Sequence, residues 1–67
     1  MNQQEIMNFF NWCDCLKEFE VHDCDESDHF YFKGERIGGY AGDRRSYFID
    51  QNDTTARLLS MMEAYNG

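Results

Sequence analysis

Apolar side chains recur at Ile6, Phe9, Phe10, Cys13 and Leu16, while Gln4, Asn8, Asn11, Asp14 and Cys15 fall on the opposite side at 100° per residue. That stripe predicts an amphipathic helix. Asn2, followed three residues later by Glu5, has the spacing of a capping box, in which each side chain satisfies a backbone N–H that a first helical turn leaves free. At about Lys17 the period changes. Phe19 and Val21 then point one way and Glu18, Glu20 and His22 the other, which is the alternation of a strand over residues 18–23. Asp25, Glu26, Ser27 and Asp28 read as a turn, because short polar side chains bond their own backbone.

The return strand runs from His29 to Lys33, with Phe30 and Phe32 alternating against Tyr31, and Gly34 and Glu35 turn it. A weaker strand from Arg36 to Tyr40 is interrupted by Gly38 and Gly39, which mark either a bulge or the close approach of another backbone. After a turn at Ala41 to Asp43, Arg45 to Ile49 completes a meander. Asp50, Asn52 and Asp53 offer N-caps for a second helix, in which Thr55, Leu58, Leu59, Met62 and Tyr65 share a face and which Gly67 would end. The expected fold class is α+β: an N-terminal helix, a three- or four-stranded antiparallel β-meander and a C-terminal helix. Consecutive strands pair because their connections are short. With both helices on one face of the sheet, the other face stays open, and Tyr31 and Tyr40 are expected there.

Residues 1–67 make one small domain. With no proline anywhere there is no proline-rich linker, and the expected core is aromatic: Phe9, Phe10, Trp12, Phe19, Phe30, Phe32, Tyr47 and Phe48. A domain of this size buries only about 60% of its chain surface, so disulfides, a metal or a second subunit commonly reinforce it. Three cysteines, an odd number, argue against a disulfide framework. The chain also lacks the basic, apolar and small-residue order of a signal peptide, so a reducing cytoplasm is the expected compartment. No apolar run approaches the roughly 20 residues that span a bilayer.

Charge is the most uneven property of the chain. Its net value is -7, and residues 1–32 hold eight acids against one base whereas the remainder holds five of each. Six of the acids, Glu18, Glu20, Asp23, Asp25, Glu26 and Asp28, fall within eleven residues. Same-face side chains on a strand repeat at about 6.6–6.8 Å, close to the spacing of phosphates along a nucleic-acid strand. Such an array steers a molecule toward a basic surface and is repelled by nucleic acid and anionic lipid alike. The plainer alternative is a solvated edge that discourages sheet-to-sheet aggregation.

Other chemistry is thinner. His22, Cys24 and His29 could ligate zinc across the hairpin, but the spacing lacks the C-x2-4-C pair of structural sites, and Cys13 and Cys15 would point to nearly opposite sides of a helix. No cofactor is expected. Asp23, Asp25 and Ser27 resemble the start of an EF-hand loop, but Asp28 and Gly34 stand where its glycine and bidentate glutamate belong. An enzyme is not expected, because the acidic surroundings of Cys15 and Cys24 would suppress the thiolate and no phosphate-binding Gly-rich loop precedes a helix. The chain is also expected to have little room for a ligand pocket of a few hundred cubic ångströms.

In length, acidity, aromatic core and lack of a catalytic motif, the chain resembles, as a class, the small inhibitors that phages produce against host enzymes, among them anti-restriction and anti-CRISPR proteins. That resemblance implies a cytoplasmic protein that blocks a host nucleic-acid-handling or defence protein. The six acids would meet a basic surface on the host protein, with Tyr31 and Tyr40 as aromatic anchors. The alternatives are a small zinc-stabilised module and a homo-oligomeric accessory subunit, for instance a homodimer.

Overall fold

In the computed structural model, which describes residues 1–66, the order is α1 (Gln3–Cys13), β1 (Phe19–Cys24), β2 (Ser27–Phe32), β3 (Glu35–Ala41), β4 (Ser46–Ile49) and α2 (Asp53–Asn66). The fold is α+β, with four strands in one antiparallel sheet ordered β1-β2-β3-β4. Gly67, the expected end of α2, lies outside the described residues.

The capping box at the start of α1 is formed: the Glu5 N–H donates to Asn2 Oδ1 at 2.9 Å and the Asn2 N–H donates to Glu5 Oε1 at 3.3 Å. The helix stops at Cys13, three residues short of the apolar stripe. Leu16 reaches the core through tight turns instead, its N–H donating to the Cys13 carbonyl at 2.9 Å. At α2 the cap is Asn52, whose Oδ1 accepts from both the N–H and the hydroxyl of Thr55 at 2.8 and 2.9 Å. That second bond is why a threonine can be buried here. Tyr65 departs from its expected face partners and stands 78% exposed, because α2 runs on beyond the surface that Leu58, Leu59 and Met62 pack against.

The turn between β1 and β2 is two residues long rather than four. Asp25 takes a positive φ of 35°, a conformation that Asp tolerates better than most residues, so Ser27 and Asp28 are freed to pair with Cys24 and Asp23. Lys33 and Gly34 both have positive φ, the requirement of a tight two-residue hairpin. Gly34 has open space around it, so conformation alone calls for glycine there.

Both helices lie on one sheet face, where Ile6, Phe9, Phe10 and Cys13 of α1 and Leu58 of α2 join Phe30 and Ile37 in a single core. Phe10 and Phe30 meet edge to face at 4.5 Å between ring centroids, and Phe19 and Tyr47 extend the cluster. Gly38 makes this approach possible, because a Cβ at that position would come within 2.5 Å of Phe10 Cζ. The register slips between Phe30 and Tyr31, which face Gly38 and Arg36 respectively and leave Ile37 as the extra residue of a bulge. The two glycines therefore serve both a bulge and a close approach.

The bulge also reassigns faces. Phe48, expected in the core, lies on the far side of the sheet with its ring under the Arg36 guanidinium at 5.5 Å and against the bare backbone of Gly39. Tyr40 pairs with Asp28 and Tyr47 on the helix side, with the Tyr40 and Tyr47 rings 4.8 Å apart. Tyr31 faces the other way, so the two tyrosines do not share the open face that simple alternation implies.

A 67-residue domain has a total stability of roughly 3–10 kcal/mol, and removing a buried phenylalanine costs about 3–5 kcal/mol. Phe9 is fully buried. Phe9→Ala should therefore unfold most of the protein, as measured by urea titration followed by far-UV circular dichroism. A loss below about 1 kcal/mol, the level of an ordinary surface change, would contradict the assigned core.

Candidate functional site: the acidic hairpin

The six acids all lie on or beside the β1–β2 hairpin, but strand alternation divides them. Glu20 shares the outer face with His22, His29 and Tyr31, since Glu20 pairs with Tyr31 and His22 with His29. Asp23 and Asp28 are paired with each other on the helix side, and Asp25 and Glu26 form the tip. Glu18 precedes β1 and lies 3.8 Å from Lys33 Nζ. They do not form a one-faced ladder of carboxylates; the charge wraps the hairpin. The three-residue separation of Glu20 and Asp23, odd rather than even, is the reason.

The ion pairs among the described residues are Glu20 with His22 at 3.2 Å, Glu18 with Lys33, and Arg36 with Asp50 at 2.7 Å. Among the described residues, no arginine is ion-paired with a hairpin acid. Arg36 grips Asp50 through a second bond at 3.2 Å, which raises its pKa further, and its carbonyl accepts from Asn52 Nδ2 at 3.0 Å. Thr54 donates its hydroxyl to Glu35. These contacts fasten the start of α2 to the start of β3, where Arg36 stands two strands from Glu20 with Tyr31 between them. Arg44 and Arg45 lie exposed in the β3–β4 loop.

Crowding leaves a trace in the titration of Asp28, whose pKa is raised first by the hydrogen bond it shares with Asp23, then by desolvation and by the Asp23 charge. All but Asp28 of the six acids are exposed, and Tyr31 and Tyr40 are half-buried. The His22 ring lies 4.5 Å from that of Tyr31.

His22, Cys24 and His29 share the outer face as the sequence implies, with the two histidines directly opposite. No group of three His, Cys, Asp or Glu side chains among the described residues is placed to hold a metal ion. Cys13 is buried and its thiol is pushed up to about 12 by desolvation, so it is a core side chain and not a nucleophile. Cys15 and Cys24 are exposed and unpaired.

More concave space is present than the chain length suggests. A groove of about 580 Å³ runs between the helices past Trp12, Leu59 and Met62, and one of about 480 Å³ lies beside Ile49 and Asn52. Both are open to solvent, and neither is lined by a cysteine or histidine. No helix among the described residues is long and apolar enough to cross a membrane. Comparison with protein-family models, curated proteins and solved structures returned no match.

The Asp23–Asp28 pair carries a pH signature. A carboxyl whose pKa is raised in the fold stabilises it below the unfolded value, near 3.8, and that contribution is lost as pH rises through the folded value. Asp28→Asn keeps a donor toward Asp23 at every pH. Its melting temperature should exceed that of the parent at pH 7, and the difference should narrow as pH falls below 4. A variant less stable than the parent at pH 7 would contradict the pairing.

Proposed function

We propose that the chain is a binding protein, not an enzyme, that presents its acidic hairpin to a basic surface on another protein. What supports the reading is the clustering of charge: six acids on one hairpin at the sheet edge, whose ion pairs among the described residues are Glu18 with Lys33 and Glu20 with His22, while Arg36 is engaged with Asp50. Exposed like charges at the end of a small fold raise encounter rates with a positive patch and reject anionic competitors. Basic surfaces of this kind belong above all to proteins that handle nucleic acid. The partner class is therefore a host nucleic-acid-handling or defence protein, which the chain inhibits by occupying its phosphate-binding surface. The resemblance in size and charge to phage inhibitors supports the same class and a place in the host cytoplasm, where the free thiols of Cys15 and Cys24 would stay reduced. Tyr31, on the outer face beside Glu20, is the aromatic anchor of that surface, while Tyr40 contributes from the helix side.

The test is a comparison of the parent with Glu20→Lys/Asp25→Lys, two exposed positions whose reversal leaves the core untouched. Both proteins are used to capture partners from native host lysate at about 0.1 M and about 1 M salt, where the screening length falls from about 10 Å to about 3 Å. The parent should retain a basic nucleic-acid-handling protein at low salt and release it at high salt. The folded double variant should retain at least about tenfold less, a loss of about 1.4 kcal/mol. Equal capture by both, or capture indifferent to salt, would contradict the reading.

A further inference from the structure

Resting on that reading, we propose that the β1 edge docks an extended segment of the partner bearing lysine or arginine, which adds to the sheet as a fifth strand. The two sheet edges differ. On β4 the outward peptide groups of Tyr47 are already taken: its N–H donates to Gln3 Oε1 at 2.7 Å and its carbonyl accepts from Gln3 Nε2 at 2.9 Å. Among the described residues, none closes β1 in this way. The Lys33 N–H donates to the Glu18 carbonyl at 3.2 Å, so along the antiparallel ladder Glu18, Glu20 and His22 turn their peptide groups toward β2. Val21 and Asp23 turn theirs outward, as does the Phe19 carbonyl, while the Phe19 N–H donates to Leu16.

Two features beyond charge point to an added strand. Val21, at the centre of this edge, is 49% exposed, an apolar side chain on the helix side that α1 and α2 leave uncovered because they pack mainly on β4 and β3. The unpaired peptide groups form a row that main-chain pairing would satisfy, the mode by which extended peptides join sheets. Side-chain alternation then specifies the guest. Residues opposite Phe19 and Val21 lie on the helix side and suit apolar side chains, whereas the residue opposite Glu20, on the outer face, suits lysine or arginine.

A second copy of the chain fits less well. Antiparallel β1–β1 pairing centred on Val21 would set Glu20 against His22, but it would also bring two hairpins of six acids each side by side.

The probe is a synthetic peptide alternating valine and lysine, compared with the same peptide N-methylated at the amides that would face β1, at equal charge. Titrated against the whole chain at about 0.1 M salt, the unmodified peptide should bind at least about tenfold more tightly, from the hydrogen bonds it alone can donate. Val21→Pro deletes an outward N–H without removing a β1–β2 bond, and should reduce binding of the unmodified peptide to the level of the methylated one. If that variant fails to fold, the peptide pair still decides. Equal binding of the two peptides would overturn strand addition and leave the acidic-surface reading standing. No binding of either would count against both, and a concentration-dependent dimer that the unmodified peptide dissociates would assign the edge to a second copy instead.

Discussion

The seating of the Phe10 ring on the bare backbone of Gly38 organises this molecule. A Cβ at position 38 would collide with the Phe48 carbonyl oxygen and fall 2.5 Å from Phe10 Cζ, so a residue without one serves both the β3–β4 pairing and the seating of Phe10, which meets Phe30 edge to face across the strand pair Phe30–Gly38. With α1 held there, its N-terminus meets β4 through Gln3, and α2 fills the remaining space over β3 with Leu58. Both helices are thereby drawn toward the β3–β4 side. The β1–β2 hairpin remains at the margin, joined to the core mainly through Phe30 and the flanking Phe19 and Phe32.

That asymmetry makes the charge distribution tolerable. Asp23, Asp25, Glu26 and Glu20 are exposed, so each keeps its hydration and their mutual repulsion is screened by water and salt. Where two acids are forced together, at Asp23 and Asp28, the raised pKa of Asp28 registers the cost. Among the basic residues, Lys33 pairs with Glu18. Arg36 unites Asp50, the Phe48 ring and, through its carbonyl, the Asn52 cap, tying the chain's last third to the sheet. A small fold thus separates a fastened half from a half whose charged side chains stay in solvent.

Much of this was legible in the sequence because local rules dominated. The capping box at Asn2 and Glu5, the helical stripe from Ile6 to Cys13, the change of period near Lys17 and the cap at Asn52 all follow from side chains acting within a few residues of themselves. The four strands and their order follow from short connections. What escaped reading depends on register, a non-local property. The Ile37 bulge flips the parity of β3, so Tyr40 turns to the helix side and Phe48, paired with Gly39, turns away from the core. Gly38 and Gly39 hinted at a bulge without giving its position. The clustering of the six acids was visible, as was the odd spacing that sets Glu20 and Asp23 on opposite faces, but the pairing of Asp23 with Asp28 needed the two-residue turn at Asp25 and Glu26. Gln3 as the closure of a sheet edge 44 residues away had no sequence signal at all.

Strand addition requires β1 to be an open edge, which residue-resolved amide hydrogen exchange of the isolated protein reads out. Glu20 and His22 donate to β2 and should exchange slowly, while Val21 and Asp23 face solvent and should exchange orders of magnitude faster. Uniform protection along β1 would mean that the edge is already covered, and would contradict its pairing with an added strand.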